Sequence, residues 1–317
     1  MFRILVVRLG AMGDVIHCLP AVATLKQSFP NSHLTWVVKP QWAALLEGNP
    51  YIDQIIPFER TLGRMLQVRR ELLSQHFDLA VDLQGLIQSA LIATAARPDR
   101  IVGLDREQSR EGLAALFYSM AVHTSAVHRV DRYLELAASA GARNPVHLFP
   151  LPQGTPEGRL PEGPFILACP LAGWGSKQWP LEAYSALAAQ LQLPLVVNGP
   201  PNASSTLESI KGASVHLSGV AGLIDATRRA KAVIGVDSGP LHLAAALGKP
   251  GVAIYGPTDP ASHGPYGGTL RVLRDAGAVT SYKRSSAIDQ SMRAIRPEQV
   301  ATRLAEVLAL KQAGAPA

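Results

Sequence analysis

Cysteine is scarce in this chain. Two of its 317 residues, Cys18 and Cys169, carry a thiol. No Cys-x-x-Cys pair or Cys/His cluster accompanies them, which argues against a zinc scaffold or a disulfide framework. Both lie in apolar patterns and read as core positions of a protein kept in a reducing cytoplasm. Long apolar runs are missing too. Ile4–Val7 is too short for a signal peptide, and no run approaches the roughly 20 residues of a membrane helix. Any membrane contact is therefore expected to be peripheral. Charged residues make up 17% of the chain, with 30 Lys and Arg against 24 Asp and Glu, a net charge of +6. No dense basic run with interleaved aromatics occurs, so nucleic acid is not an expected partner. The modest basic excess favours phosphates, acidic sugars or an anionic membrane surface. The common phosphate signatures are absent. There is no Gly-x-x-x-x-Gly-Lys-Ser/Thr loop, and no Gly-x-Gly-x-x-Gly with an acid about 20 residues on, as a nicotinamide-dependent dehydrogenase wants.

What is present is alternation. Hydrophobic residues form 47% of the chain, and the length suits about two domains. In the first half, "RILVV", "LTWVV", "IDQIIPF" and "FDLAVDL" read as strands, separated by helical stretches. In the second half, "FILACP", "PLVVNG", "AVIGVD" and "GVAIYG" repeat the pattern. This βαβα order predicts parallel sheets covered by helices. The Pro- and Gly-dense stretch Pro150–Pro164 is the natural linker. The expectation is an α/β chain of two doubly wound, Rossmann-like domains, 1–150 and 151–317, facing across a cleft. The final helix, 297–312, carries Val300, Leu304, Val307 and Leu308 on one face and is a candidate to pack back on the N-terminal domain.

Two strand–turn–helix sites stand out. The first is "RILVVRLGAMGDVIH": a strand over Arg3–Arg8, a turn at Gly10 and Gly13, and a helix starting at Asp14. A carboxylate at a helix start repels a diphosphate, so this turn is a poor phosphate cradle, while the dipole keeps the acid ionised. His17, one turn on, either orients that acid or packs. Asp82 and Gln84, closing "LAVDLQG", read as support for the first turn. The second site is "AVIGVDSGPLHLAAAL". Asp237, Ser238 and Gly239 follow the strand, Pro240 suits the first helical position, and the free N–H groups of the helix start make an anion site. His242 lies in the first turn. The plainer alternative is that Asp237 or Ser238 caps the helix and His242 is a surface residue. In "AGWGSKQWP", Lys177 is either a phosphate clamp or an ordinary loop lysine. In "FERTLGRMLQVRREL", Arg60 and Arg64 share a face if helical, and Arg69 and Arg70 read as a solvated face. Arg106 and Arg110 precede an apolar helix. Residues 275–295 carry no motif.

In order along the chain, "MGDVIHCLPA", "DLAVDLQGL", "REGLAALFY", "KQWP", "VDSGPLHLAAAL" and "YGPTDP" together resemble the lipopolysaccharide heptosyltransferases, glycosyltransferase family 9, which have the GT-B fold. The resemblance covers almost the whole chain. The middle stretches, including Arg110–Tyr118 and His128, are most similar to the heptosyltransferase I group. It implies an inverting transfer of L-glycero-D-manno-heptose from ADP-heptose to the Kdo sugar of the inner core. By the family pattern Asp14 matches the general base; beside it, Gly13, His17 and Gln84 are expected as support. Lys177, Asp237, Ser238, Gly239 and His242 match the donor diphosphate site. Arg60, Arg64 and Arg110 match a basic acceptor side. The implied partners are an ADP-sugar donor, Kdo-lipid A and, by peripheral contact, the cytoplasmic face of the inner membrane; the oligomeric state is not specified. No cofactor is required and no metal ligand is assigned. No Asp-x-Asp motif of the metal-dependent glycosyltransferases occurs, and a loosely bound Mg²⁺ stays compatible with that. Ala172 and Gly173 stand where relatives often carry hydroxyls, and Ala203 where an acid can bind the ribose, with Glu208 the candidate substitute. The alternatives are heptosyltransferase II or another ADP-sugar enzyme of the family, and a non-catalytic nucleotide- or sugar-binding protein, which would keep the second site but not need Asp14.

Overall fold

The computed structural model describes the backbone of residues 1–312 and the side chains of residues 1–310. The last five residues of the expected C-terminal domain lie outside the described residues. The chain forms two compact units, Met1–Pro152 and the remainder from Gln153.

The first unit holds β1 (Arg3–Val7), β2 (His33–Val38), β3 (Gln54–Pro57), β4 (Leu79–Asp82), β5 (Arg100–Leu104) and β6 (Met120–Val122). They form one parallel sheet in the order β3-β2-β1-β4-β5-β6. Ile4 to Val7 are all fully buried, as a central parallel strand covered on both faces requires. Leu5 and Val7 join Ile56, Ala80 and Ile101 in one cluster, which Val68, Leu72, Ile92 and Ala93 of helices Leu62–Leu73 and Ile87–Ala95 complete. Helix Met12–Ser28 packs against helix Arg129–Ser139.

The second unit holds β7 (Ile166–Cys169), β8 (Leu195–Gly199), β9 (Ala213–Leu217), β10 (Ala232–Val236), β11 (Gly251–Tyr255) and β12 (Leu270–Arg274). Its parallel order is β12-β11-β10-β7-β8-β9. In each sheet the chain runs outward in one direction, then returns to the middle and runs outward in the other. The reversal falls between β1 and β4 in the first unit and between β7 and β10 in the second. Ligands of such sheets bind outside the carboxyl ends of the strands at these reversals.

Each sheet has six strands where the sequence reading found four. Of the missed strands, β6 is three residues long and largely exposed, and β9 and β12 are half-exposed. All three are sheet edges, so their apolar signal is weak. The fourth, β5, is continuous, but Gly103 interrupts its short apolar run. A Cβ there would meet the Tyr118 ring at 2.3 Å, so the glycine serves that contact. The linker has no regular element, yet it is tied down. Glu157 accepts the N–H of Gly219 at 2.6 Å and of Gly222 at 3.0 Å, satisfying the start of helix Val220–Arg229.

The final helix, Pro297–Gln312, builds on the second unit. Its Val300 and Leu304 belong to the second unit's own core, with Trp179, Tyr184 and Met292. Trp179 is fully buried, meets the Tyr184 ring edge-on at 4.8 Å, and donates from Nε1 to the Ile295 carbonyl at 2.9 Å. The tryptophan of "KQWP" is thus a core anchor between the Lys177 loop and the C-terminal helix. Trp179→Ala is expected to cost about 3–5 kcal/mol, and Trp179→Phe, which mainly removes the hydrogen bond, about 1 kcal/mol. Urea unfolding midpoints measure both.

Candidate functional site

The sequence-selected residues of the first unit gather behind the carboxyl ends of β1, β3, β4 and β5. Strand β1 ends at Val7, one residue earlier than expected, and the helix starts at Met12 with Ala11 as its N-cap. Asp14 is therefore the third helical residue. Its carboxylate accepts the Ala11 N–H at 3.2 Å, satisfying one of the N–H groups that a helix start leaves free. Gly13 is buried in the same turn. Gly10 precedes it at φ +152, with the Trp42 indole where a Cβ would stand, 2.7 Å away. Only glycine admits that approach.

Arg8, which closes the β1 stretch, is a site residue that no sequence motif marks. It is fully buried, and its Nη2 lies 2.6 Å from Asp14 Oδ2. Its Nη1 donates to the Tyr133 hydroxyl at 2.9 Å and to the Leu83 carbonyl. Burial pushes the Asp14 carboxyl up, but the charges of Arg8 and Arg129 and the hydrogen bonds from Arg8 and Ala11 outweigh it, so it titrates below the ordinary carboxylate range. A signal was available: an arginine closing a buried strand needs a carboxylate, and Asp14 lies one turn away.

Around this pair the supports divide. His17 is buried, its ring 5.5 Å from that of His128 at a steep angle. Gln84 Oε1 accepts the Leu9 N–H at 2.6 Å, tying β4 to the first turn. Asp82 is fully buried and accepts from Gln84 N–H, Gly85 N–H, the Ser89 hydroxyl and the Tyr118 hydroxyl. Burial still leaves its carboxyl above the ordinary range. Arg60, Arg64 and Arg110 do not pair with Asp14. Arg60 precedes the helix, whose N-cap is Thr61, so Arg60 and Arg64 do not share a helix face. Arg60 is exposed, while Arg64 is half-buried with Nε donating to the Pro57 carbonyl at 2.8 Å. Arg110 is exposed in the turn after β5. The stretch after it is a 3-10 helix, Gly112–Phe117, with Leu113 and Leu116 exposed, not the apolar helix expected.

In the second unit, the loops after β7 and β10 flank the reversal of strand order. Lys177 leaves β7 by a short 3-10 turn, and Asp237 follows β10. Lys177 Nζ lies 2.6 Å from Asp237 Oδ2, with the two side chains 12% and 8% exposed. His242 Nε2 lies 3.5 Å from Asp237 Oδ1 and is buried. Burial pushes the Asp237 carboxyl up, but the His242 hydrogen bond and the Lys177 charge hold it well below the ordinary range. Asp237 is thus the node that fixes a lysine and a histidine beside the helix start, and His242 is no surface residue. Helix Gly239–Ala246 begins with Ser238 as N-cap, and the Ser238 side chain makes no capping bond. Its Oγ is buried without a partner, as are Ser176 Oγ and Thr258 Oγ1. Thr258 lies in "YGPTDP", in the loop after β11. A buried hydroxyl without a partner is costly, and three of them on loops beside an uncapped helix start mark a site built to receive acceptor oxygens.

Of the positions where the sequence departs from the family pattern, Ala172 packs on the core and Glu208 accepts a hydrogen bond from Ser204 Oγ at 2.7 Å. Among the described residues two exposed groups, His76–Asp78–Asp99 and Asp105–Glu107–His123, have ligand atoms close enough to share a cation. Neither contains a residue selected from the sequence.

The model of glycosyltransferase family 9 (heptosyltransferase) matches residues 65–290. Lipopolysaccharide heptosyltransferase 1 of Pseudomonas aeruginosa is 30% identical over 296 residues, covering 84% of this chain and 81% of that one. Its Escherichia coli K12 counterpart is 29% identical, covering 86% and 93%. Among solved structures, the E. coli heptosyltransferase WaaC with ADP aligns at a TM-score of 0.79 and 26% identity, over 96% of this chain and all of that one. The E. coli ADP-heptose heptosyltransferase II aligns at 0.78 and 23% identity, over 98% and 100%, a likeness of fold alone. The α/β architecture expected from the sequence is the one these proteins share, GT-B.

Proposed function

We propose that this chain, which belongs to glycosyltransferase family 9, transfers L-glycero-D-manno-heptose from ADP-heptose to the Kdo sugar of the lipopolysaccharide inner core, inverting the anomeric centre. Asp14 accepts the proton of the acceptor hydroxyl as the new C1–O bond forms. The bond from C1 to the β-phosphate oxygen breaks, and ADP leaves with the electron pair. General-base help of this kind is worth about 10²- to 10⁴-fold. Holding the leaving diphosphate falls to Lys177, the Ser238 hydroxyl and the N–H groups at Gly239, with Asp237 and His242 fixing the lysine and the helix start. Fixed donors aimed at developing charge carry a large share of such a reaction, and this set works without a resident metal.

The observation that carries the reading is the second-unit cluster: a buried Lys177–Asp237–His242 node at an uncapped helix start with partnerless hydroxyls around it. On the acceptor side, Arg60, Arg64 and Arg110 offer cations to the Kdo carboxylate and the lipid A phosphates. Because that acceptor is lipid-anchored, the enzyme works in peripheral contact with the cytoplasmic face of the inner membrane. No described helix is long and apolar enough to cross a membrane.

Lys177→Ala is expected to weaken ADP binding by about 10- to 100-fold, the size of one charge-assisted contact, and to raise the donor KM. Calorimetry and steady-state kinetics measure both. Unchanged ADP affinity in a folded variant would remove Lys177 from the donor site. Thermal stabilisation of the native chain by NAD and not by ADP would overturn the nucleotide assignment itself.

A further inference from the structure

The stretch after Asp275, silent in the sequence, reaches the same cluster. Ser281 N–H donates to the Pro257 carbonyl at 2.7 Å, and the Ser285 carbonyl accepts the Ser176 N–H at 3.1 Å. A Cβ on Gly175 would meet the Ser286 carbonyl oxygen at 1.9 Å, so the glycine of "GWGSK" is what lets the two segments touch. Residues 281–286 are therefore pinned at one end to the loop after β11 and at the other to the Lys177 loop. Between the two pins, Arg284 places its guanidinium 5.1 Å from the centroid of the Trp174 ring. Lys177 Nζ lies 4.3 Å from the same centroid. One indole thus holds two cations by its π face.

The two cations differ in what they have left to give. Lys177 is neutralised by Asp237 at 2.6 Å. Arg284 is exposed and forms no ion pair among the described residues. A nucleoside diphosphate brings several negative charges to a node whose lysine is already balanced by an aspartate, so the node and a helix dipole leave most of that charge uncompensated. A planar guanidinium suits phosphate oxygens in a two-point contact.

We propose that Arg284 is the second diphosphate cation of this site, contacting the β-phosphate of the donor and of departing ADP, and that Trp174 is the positioning residue that keeps Arg284 and Lys177 side by side. This rests on the donor site proposed above. It adds a residue with no sequence signal and gives a job to a segment without regular structure.

The test compares ADP with AMP, which lacks the β-phosphate. Arg284→Ala is expected to lower ADP affinity by about tenfold and leave AMP affinity unchanged. The loss should shrink at high salt, because the guanidinium is exposed. Trp174→Ala should lower the ADP-to-AMP affinity ratio, and Trp174→Phe, which keeps a ring, should restore most of it. An ADP-to-AMP ratio in Arg284→Ala equal to that of the native chain, whether both affinities hold or both fall, overturns the proposal. Lys177→Ala run alongside separates the two failures. If it loses ADP affinity while Arg284→Ala does not, only the Arg284 assignment falls. If neither variant loses it, the donor site itself is misplaced.

Discussion

Asp14→Asn is expected to lower turnover by about 10²- to 10³-fold with ADP affinity unchanged. Asparagine keeps the shape of the side chain, and its carbonyl oxygen can still accept the Ala11 N–H that Asp14 takes at 3.2 Å. What it cannot do is take a proton. The expected loss sits in the lower part of the general-base range because the Asp14 carboxyl titrates below its ordinary range. A depressed carboxylate is always ionised at neutral pH but is a weak base. As the proposed base, such a carboxylate would take the proton late, once the acceptor oxygen has begun to bond to C1 and its hydroxyl has become more acidic. ADP affinity holds because the proposed donor residues all belong to the second unit. Native-like turnover in a folded Asp14→Asn chain would remove Asp14 as the base.

Arg8→Met is expected to act twice. On stability, it leaves a half-buried carboxylate without the cation 2.6 Å away, and it removes the donors to Leu83 and Tyr133. Breaking a buried pair from one side costs about 3 kcal/mol or more, read from urea unfolding. On activity, the Asp14 carboxyl should rise. Burial already pushes it up, and the main opposing charge is gone. The acid limb of the log kcat–pH profile should therefore move up by about one unit or more. The sign follows for stability as well. In the native chain Asp14 titrates below its unfolded value, so its contribution is complete above the unfolded carboxylate pKa of about 4. It is lost as the pH falls through the folded value. In Arg8→Met that acid-sensitive contribution should disappear. The double variant Arg8→Met/Asp14→Asn should recover part of the stability, because no charge is stranded, and none of the turnover. An unshifted acid limb in Arg8→Met would show that Arg8 does not set the ionisation of Asp14.

The parts of the fold legible in the sequence were those with a strong burial signal. The central strands β1, β4, β7 and β10 are apolar runs followed by turn residues, and both sheets reverse next to them, which is why the motifs around Asp14 and Asp237 could be placed. The edge strands β6, β9 and β12 were not legible, because they leave much of their length in water. Arg60 and Arg64 illustrate a different limit. Their spacing suits a helix face, but Thr61 accepts the Arg64 N–H and starts the helix after Arg60, a capping choice that periodicity does not contain. Arg8 was legible in principle, since a cation ending a buried strand needs an anion. Arg284 was not. Its place depends on two backbone hydrogen bonds across loops and on a glycine contact, and none of these leaves a pattern in the order of residues.

The central claim is that this chain adds the first heptose directly to Kdo. The measurement is a paired transfer assay with the full chain and ADP-heptose, giving it either Kdo-lipid A or the same acceptor already bearing one heptose, with products weighed by mass spectrometry. Addition of one heptose to Kdo-lipid A with release of ADP, and none to the heptosylated acceptor, is the predicted result. Transfer only to the heptosylated acceptor would make the chain a heptosyltransferase II, and no transfer to either would contradict the account.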